Sequence, residues 1–259
     1  MGGGGGRDRG GARSGLREGG RWGVTPMPPA LTHQRQERRC PLSTSCRGLN
    51  WSWWSRWVSW QRFGPFGEHS VNASWIAVQE LEKLGLGKDV DLHVYEIPVE
   101  YQAVQRLIPA LWKKHSPQLV VHVGLSGMAT TVTLEKCGHN AGYRGLDNCR
   151  FCPGSHCCVE GGPECIDSVI DMDAVHKRVS ALGLDVTITV SKDAGRYLCD
   201  FTYYMSLYQS RGRSAFVHVP PLGKPYSAQQ LGRALQAIIE EMLVVLESTE
   251  NNISCHHQH

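Results

Sequence analysis

From residue 72 onward the chain alternates between two hydrophobic periods, and that alternation restricts its fold more than any other feature. Asn72 is placed to cap a helix over 72–84, with Trp75, Ile76, Val78, Leu81 and Leu84 on or near one face and glycine behind it. Residues 90–97 alternate as a strand. Residues 101–114 return to helical spacing through Val104, Leu107, Ile108 and Leu111, with Pro109 expected to bend the helix. An unbroken apolar run predicts a buried strand over 118–123, and a β-branched run another over 130–136. A helix is predicted over 172–182 and a strand over 186–190. The aromatic-rich 197–208 reads as a helix that Asp193 could cap, and 214–219 reads as a buried strand stopped by Pro220-Pro221. Ser227 and Gln230 form a capping box before a last helix with Leu231, Leu235, Ile238, Ile239, Met242, Val245 and Leu246 at helical spacing. Strands interleaved with helices imply an α/β fold, a three-layer α/β/α sandwich with a mixed, mostly parallel sheet. Ligands in such folds meet the carboxyl ends of strands, so the turn Gly124–Met128 and His218 are expected on one rim.

The first 50 residues are of another kind. They hold twelve of the 29 glycines and nine arginines against Asp8, Glu18 and Glu37, a net of +6 within an overall +3. The rest is therefore slightly acidic, and the basicity belongs to a low-complexity tail expected to be disordered, not to a nucleic-acid face. Residues 51–62 hold five of the eight tryptophans, and a strand is predicted over 56–61. No apolar core follows Met1, Gly6 breaks the myristoylation pattern, and the run from Trp51 to Trp60 is too short to span a bilayer. The expectation is a cytoplasmic protein without membrane or nucleic-acid partners.

Ten cysteines in a reducing compartment argue for free thiols. Six fall between Cys137 and Cys165, including Cys149-x-x-Cys152 and Cys157-Cys158, with His139 and His156 nearby. A zinc site is the sharp reading, and a zinc-binding interaction module the rival function. Two well-separated pairs are wanting, however, and adjacent cysteines seldom chelate one ion, so the expectation is a cysteine-rich loop over 138–168 with no metal or cofactor. Gly124-x-x-Gly127 is too short for a dinucleotide fingerprint.

Cys199 is different in kind. It falls in the opening turns of the predicted 197–208 helix, where the helix dipole favours thiolate over thiol. His218 lies near a strand end and Glu135 inside a β-branched run. Each alone has a bland reading: a small buried thiol, a solvated imidazole, a water-facing carboxylate. Together, on separate elements of an α/β pattern, they are what a thiol hydrolase needs.

Four stretches occur in a telling order: Phe63-Gly64-Pro65-Phe66-Gly67; Gly124-Leu125-Ser126-Gly127 with Glu135 behind it; Asp193-Ala194-Gly195-Arg196-Tyr197-Leu198-Cys199; and Phe216-Val217-His218-Val219-Pro220. From about Phe63 to the C-terminus the chain resembles the pyroglutamyl-peptidase I family of cysteine peptidases. The resemblance implies a cysteine exopeptidase domain over 63–259, a monomer, that hydrolyses the bond after an N-terminal pyroglutamyl residue of peptides. It implies Cys199 as nucleophile, His218 as base and acid, and Glu135 as the acid of a triad. It further implies that Phe63 and Phe66 sandwich the lactam ring, that backbone groups around Leu125 bond it, and that Arg150 matches a family arginine near the site. One departure stands out. Where the family has an apolar first strand ending Thr-Gly, this chain has Ser59-Trp60-Gln61-Arg62. If 57–61 cannot replace that strand, the two flanking strands lose backbone partners, and the alternative reading is a destabilised or inactive variant of the enzyme.

Overall fold

The computed structural model describes the backbone of residues 56–63 and 72–256, and the side chains of 72–249. All of these lie in one compact unit, Asn50–His259. Residues 1–50, expected to be disordered, fall outside the described residues.

Strands β1 (Arg56–Phe63), β2 (Val90–Ile97), β3 (Leu119–Leu125), β4 (Val132–Glu135), β7 (Ile188–Ser191) and β8 (Ser214–Val219) form one sheet in the order β2-β1-β3-β8-β4-β7. Every ladder is parallel except that between β4 and β8. Helices α1 (Ala73–Leu84), α2 (Tyr101–His115), α3 (Met172–Ala181), α4 (Leu198–Ser210) and α5 (Ala228–His256) cover it. α1 and α3 both pack on α5, while α2 packs on α4, which divides the helices into two layers with the sheet between them. The architecture is the three-layer sandwich expected, with a mixed and mostly parallel sheet. Among the described residues no helix is long and apolar enough to cross a membrane.

The two faces of the sheet follow from the period of two in the central strands. Leu119, Val121 and Val123 of β3, Val132 and Leu134 of β4, and Ala215, Val217 and Val219 of β8 are buried in the core shared with α1, α3 and α5. Their alternates must face α4. Phe216 does so, within a second core that holds Tyr203, Tyr204 and Leu207 of α4. By the same alternation His122, Gly124, Thr133, Glu135 and His218 belong to the α4 side.

Local signals explain the helix ends. The Asn72 side chain accepts from Ser74 N (3.0 Å), and Asp171 accepts from the amides of Asp173 and Ala174 (both 3.0 Å). Gln230 Oε1 accepts from Ser227 N (2.9 Å), closing the expected capping box. Asp193 does not cap α4. That helix starts at Leu198 with Tyr197 as its cap residue and no side-chain bond, while Asp193 accepts from Gly195 N (3.0 Å) and the Arg196 guanidinium. Its carboxylate is consumed by the turn before the helix.

One further expectation is corrected. The stretch 138–168 is not all loop, because Cys137–His139 (β5) and Cys165–Asp167 (β6) pair as a small antiparallel sheet. Strands of three residues are too short to show a period. The strand expected over 56–61 is present as β1, so the flanking strands keep their backbone partners: β1 pairs with β2 from Arg56↔Val90 to Phe63↔Ile97, and with β3 from Val58↔Leu119 to Arg62↔Val123.

Candidate active site

Glu135 and His218 meet because β4 runs antiparallel beside β8. Thr133 is paired with His218 and Glu135 with Phe216, so the Glu135 side chain sits diagonally from the imidazole on the α4 face. His218 Nδ1 lies 2.7 Å from Glu135 Oε1, and both residues are buried, at 8 % and 2 % exposure. An ionised carboxylate can only accept, so Nδ1 carries the proton in this pair. Tyr203 of α4 donates its hydroxyl to the Glu135 carbonyl at 3.0 Å, fixing the strand end that presents the acid. Phe216 packs against the His218 ring, centroids 4.7 Å apart, and on its other side faces His122 at 6.0 Å. Burial alone pushes the His122 imidazole down to about 3, so that ring is neutral packing.

Cys199 is the second residue of α4. The first amides of a helix have no intrahelical acceptor and carry its partial positive charge. The sulfur therefore stands at the positive end of α4 and over the central strands. The His218 imidazole is close enough for the sulfur to act on its proton. Burial of the ring works to lower the His218 pKa, but the hydrogen bond and charge of Cys199, then those of Glu135, outweigh it and raise it from 6.5 to about 10. The arrangement favours the charged form of the His218 imidazole.

Gly124 is the floor of the site. It is paired with His218 across the β3–β8 ladder, the shared rim expected from the sequence. A Cβ there would stand 2.7 Å from Phe216 Cζ and 3.0 Å from Cys199 Sγ. Gly124→Ala is therefore expected to displace the ring or the sulfur, lowering kcat/KM by about 10²-fold and stability by about 1–3 kcal/mol. Activity assays and thermal melts of the variant check both.

Leu125 ends β3 beside Gly124, opposite Val219, so its backbone belongs to the same rim. Arg150 is exposed on a left-handed backbone (φ 59°), its amide donating to the Asp147 carbonyl (2.9 Å), and its described contacts do not reach the other three side chains. The loop does approach Cys199 another way, since Tyr197 donates its hydroxyl to the Leu146 carbonyl at 2.9 Å. The Phe63 side chain and the whole of Phe66 lie outside the described residues.

The sequence reading missed Asp200, which follows Cys199. Its carboxylate is fully buried and accepts from the Tyr143 hydroxyl (2.9 Å) and the His139 amide (3.2 and 3.3 Å). Burial pushes its pKa up to about 6, against the pull of those partners. An acid directly after the cysteine, in the first helical turn, was the signal available. It ties the start of α4 to β5.

A sequence model described as pyroglutamyl peptidase matches residues 58–247. The pyroglutamyl-peptidase 1 of Rattus norvegicus is 84 % identical over 196 residues, covering 76 % of this chain and 94 % of that protein. That of Homo sapiens is 83 % identical over 197 residues, with the same shares covered. The solved pyrrolidone carboxyl peptidase from Thermococcus litoralis has a TM-score of 0.65 at 21 % identity, over 75 % of this chain and 96 % of that one, a likeness that carries the fold. With the match running from inside β1 to α5 and identity this high over three quarters of its length, the chain belongs to the pyroglutamyl peptidase family.

Proposed function

We propose that this chain is a cysteine exopeptidase that removes an N-terminal pyroglutamyl (5-oxoproline) residue from peptides. The observation that carries the reading is the 2.7 Å Glu135–His218 bond with Cys199 as the next partner of the imidazole, at a helix start. Cys199 is the nucleophile in this reading. Its thiolate adds to the pyroglutamyl carbonyl, and the developing oxyanion takes the Cys199 backbone N–H at the helix start. His218 gives its proton to the leaving amine as the C–N bond breaks, leaving a thioester. It then takes a proton from water, whose oxygen attacks the thioester, releasing pyroglutamate and restoring the thiolate. Glu135 orients the imidazole and stabilises its charged form. No cofactor enters these steps.

The lactam has no charged amine, so its pocket must be flat and lightly polar. Phe63 and Phe66 as its walls, the Leu125 backbone as its hydrogen-bonding edge and Arg150 nearby remain part of the proposal. Release of a fluorophore from a pyroglutamyl amide, blocked by iodoacetamide, is the expected result. Amides of free N-terminal Gln or Pro should be cut far more slowly, and equal rates on them would refute the specificity. We take the enzyme as a cytoplasmic monomer, which sedimentation and localisation of the full chain would check.

In the same reading residues 51–62 serve as the first strand of the peptidase domain. Gln61 and Arg62 stand where the family that the chain resembles has Thr and Gly. Exchanging residues 1–62 for an apolar strand ending Thr-Gly is expected to raise stability by about 1–3 kcal/mol, read as a higher Tm. Equal Tm and amidase rate would show the tryptophan segment to be fully adequate.

A further inference from the structure

The cysteine pairs that stand out in the sequence belong to no group of metal donors among the described residues. Cys149 is exposed, while Cys158 is buried and points its thiol at the Phe201 carbonyl (3.5 Å). A different set comes together across the β5–β6 ladder. Cys137 and His139 are two residues apart on β5 and so share one face, and Cys165 of β6 is paired directly with His139. One donor atom from each of the three lies within 4.8 Å of the others. We propose that Cys137, His139 and Cys165 form a binding site for one zinc ion.

The donor set is two sulfurs and one imidazole nitrogen, which suits zinc and disfavours the hard cations calcium and magnesium. Tetrahedral zinc with ordinary bond lengths holds such donors about 3.5–3.8 Å apart, so closure needs a movement of only about an ångström. Cys165 is exposed and offers a way in, while Cys137 is buried at the back. Asp200 lies beside the histidine: its Oδ1 stands 3.5 Å from His139 Nδ1 without a hydrogen bond to it, and the carboxylate accepts from the His139 amide. The hairpin is also firmly seated, because a Cβ on Gly138 between the two β5 ligands would come within 2.8 Å of Tyr204 N in α4. Three ligands leave a fourth position for water or an incoming group. None of the three belongs to the Cys199–His218–Glu135 set, so the site stands whether or not the peptidase reading does.

The test must silence two competitors. A Cys–His pair such as Cys199–His218 can itself take a soft metal, and Cys255-His256-His257-Gln258-His259 is a linear run of donors. The parent is therefore the full chain with Cys199→Ser and with Cys255, His256, His257 and His259 all replaced by serine. After equilibration with zinc and gel filtration under reducing conditions, elemental analysis should find one equivalent bound. Cobalt in its place should show sulfur-to-metal charge-transfer absorption. Adding Cys165→Ser, at an exposed position, should weaken zinc binding at least about tenfold and remove the rise in Tm that zinc produces in the parent. His139→Gln should do the same. Zinc lost from the parent, or retained equally by Cys165→Ser, would overturn the proposal. So would a Cys137–Cys165 disulfide, seen as the loss of two hydrogens by mass, in the protein purified under those conditions.

Discussion

Cys199→Ser is expected to lower pyroglutamyl-amide hydrolysis by at least about 10⁴-fold while leaving the fold and Tm nearly unchanged. The swap replaces one polarisable atom at the second position of α4, where the side chain is only partly buried. Packing therefore changes little. The chemistry changes greatly, because the proposed mechanism needs the thiol to pass its proton to His218, and a serine hydroxyl, with a far higher pKa, cannot form that ion pair. Iodoacetamide should modify one thiol in the native enzyme much faster than the other six described cysteines, and that fast phase should vanish in the variant. Substantial activity in Cys199→Ser would remove the nucleophile from the mechanism.

Glu135→Gln is expected to lower kcat/KM by about 10²–10⁴-fold and to move its alkaline limb toward neutral pH. The sign follows from the geometry. The Glu135 hydrogen bond and charge help hold the His218 proton against burial, raising its pKa to about 10. Without the carboxylate the proton leaves at lower pH, and the Cys199–His218 ion pair is lost with it. Glutamine keeps the volume and an acceptor oxygen for Nδ1, so a collapsed fold is not the expected route. The same linkage acts on stability. A proton bound more tightly in the folded state than in the unfolded one stabilises fully below the unfolded pKa, and this contribution disappears as pH rises from about 6.5 through 10. Urea titrations across that range should show stability falling with pH in the wild type and falling less in Glu135→Gln. An alkaline limb that stays in place would take Glu135 out of the proton's environment. The rate profile itself belongs to the coupled Cys199–His218 pair, with two limbs that neither residue owns alone.

Much of this was legible before any coordinates, and what was not has definite physical causes. Apolar spacing marked α1, α2 and α5 within a residue or two of their observed N-termini, because one buried stripe per helix is a strong signal. Glu135 and His218 could be named as an acid and an imidazole on strands. Their meeting could not be derived from periodicity, since it depends on β4 turning antiparallel beside β8 across a gap of 83 residues. The resemblance to a family supplied that link. Asp193 misled because a helix-capping residue and a turn residue have the same chemistry, and only the start of the helix distinguishes them. The grouping of Cys137, His139 and Cys165 was hidden for a similar reason, as a cross-strand pairing leaves no fixed spacing in the chain. Asp200 escaped notice because an acid in a first helical turn is usually solvated, and this one is covered by Tyr143 and His139.

The β3–β8–β4 ladder also sets an order of events in time. Gly124, Cys199, Glu135 and His218 assemble only once β8 has slotted between β3 and β4, strands that precede it by about 80 to 100 residues. Such distant pairings close late, after the local helices have formed. In the proposed mechanism a nascent chain still lacking residues 214–219 has its thiol but not His218, and is expected to be inactive while it emerges from the ribosome. Turnover should then be the last property recovered on refolding, trailing the far-ultraviolet circular dichroism of the helices. Peptide hydrolysis becomes a clock for the insertion of one six-residue strand.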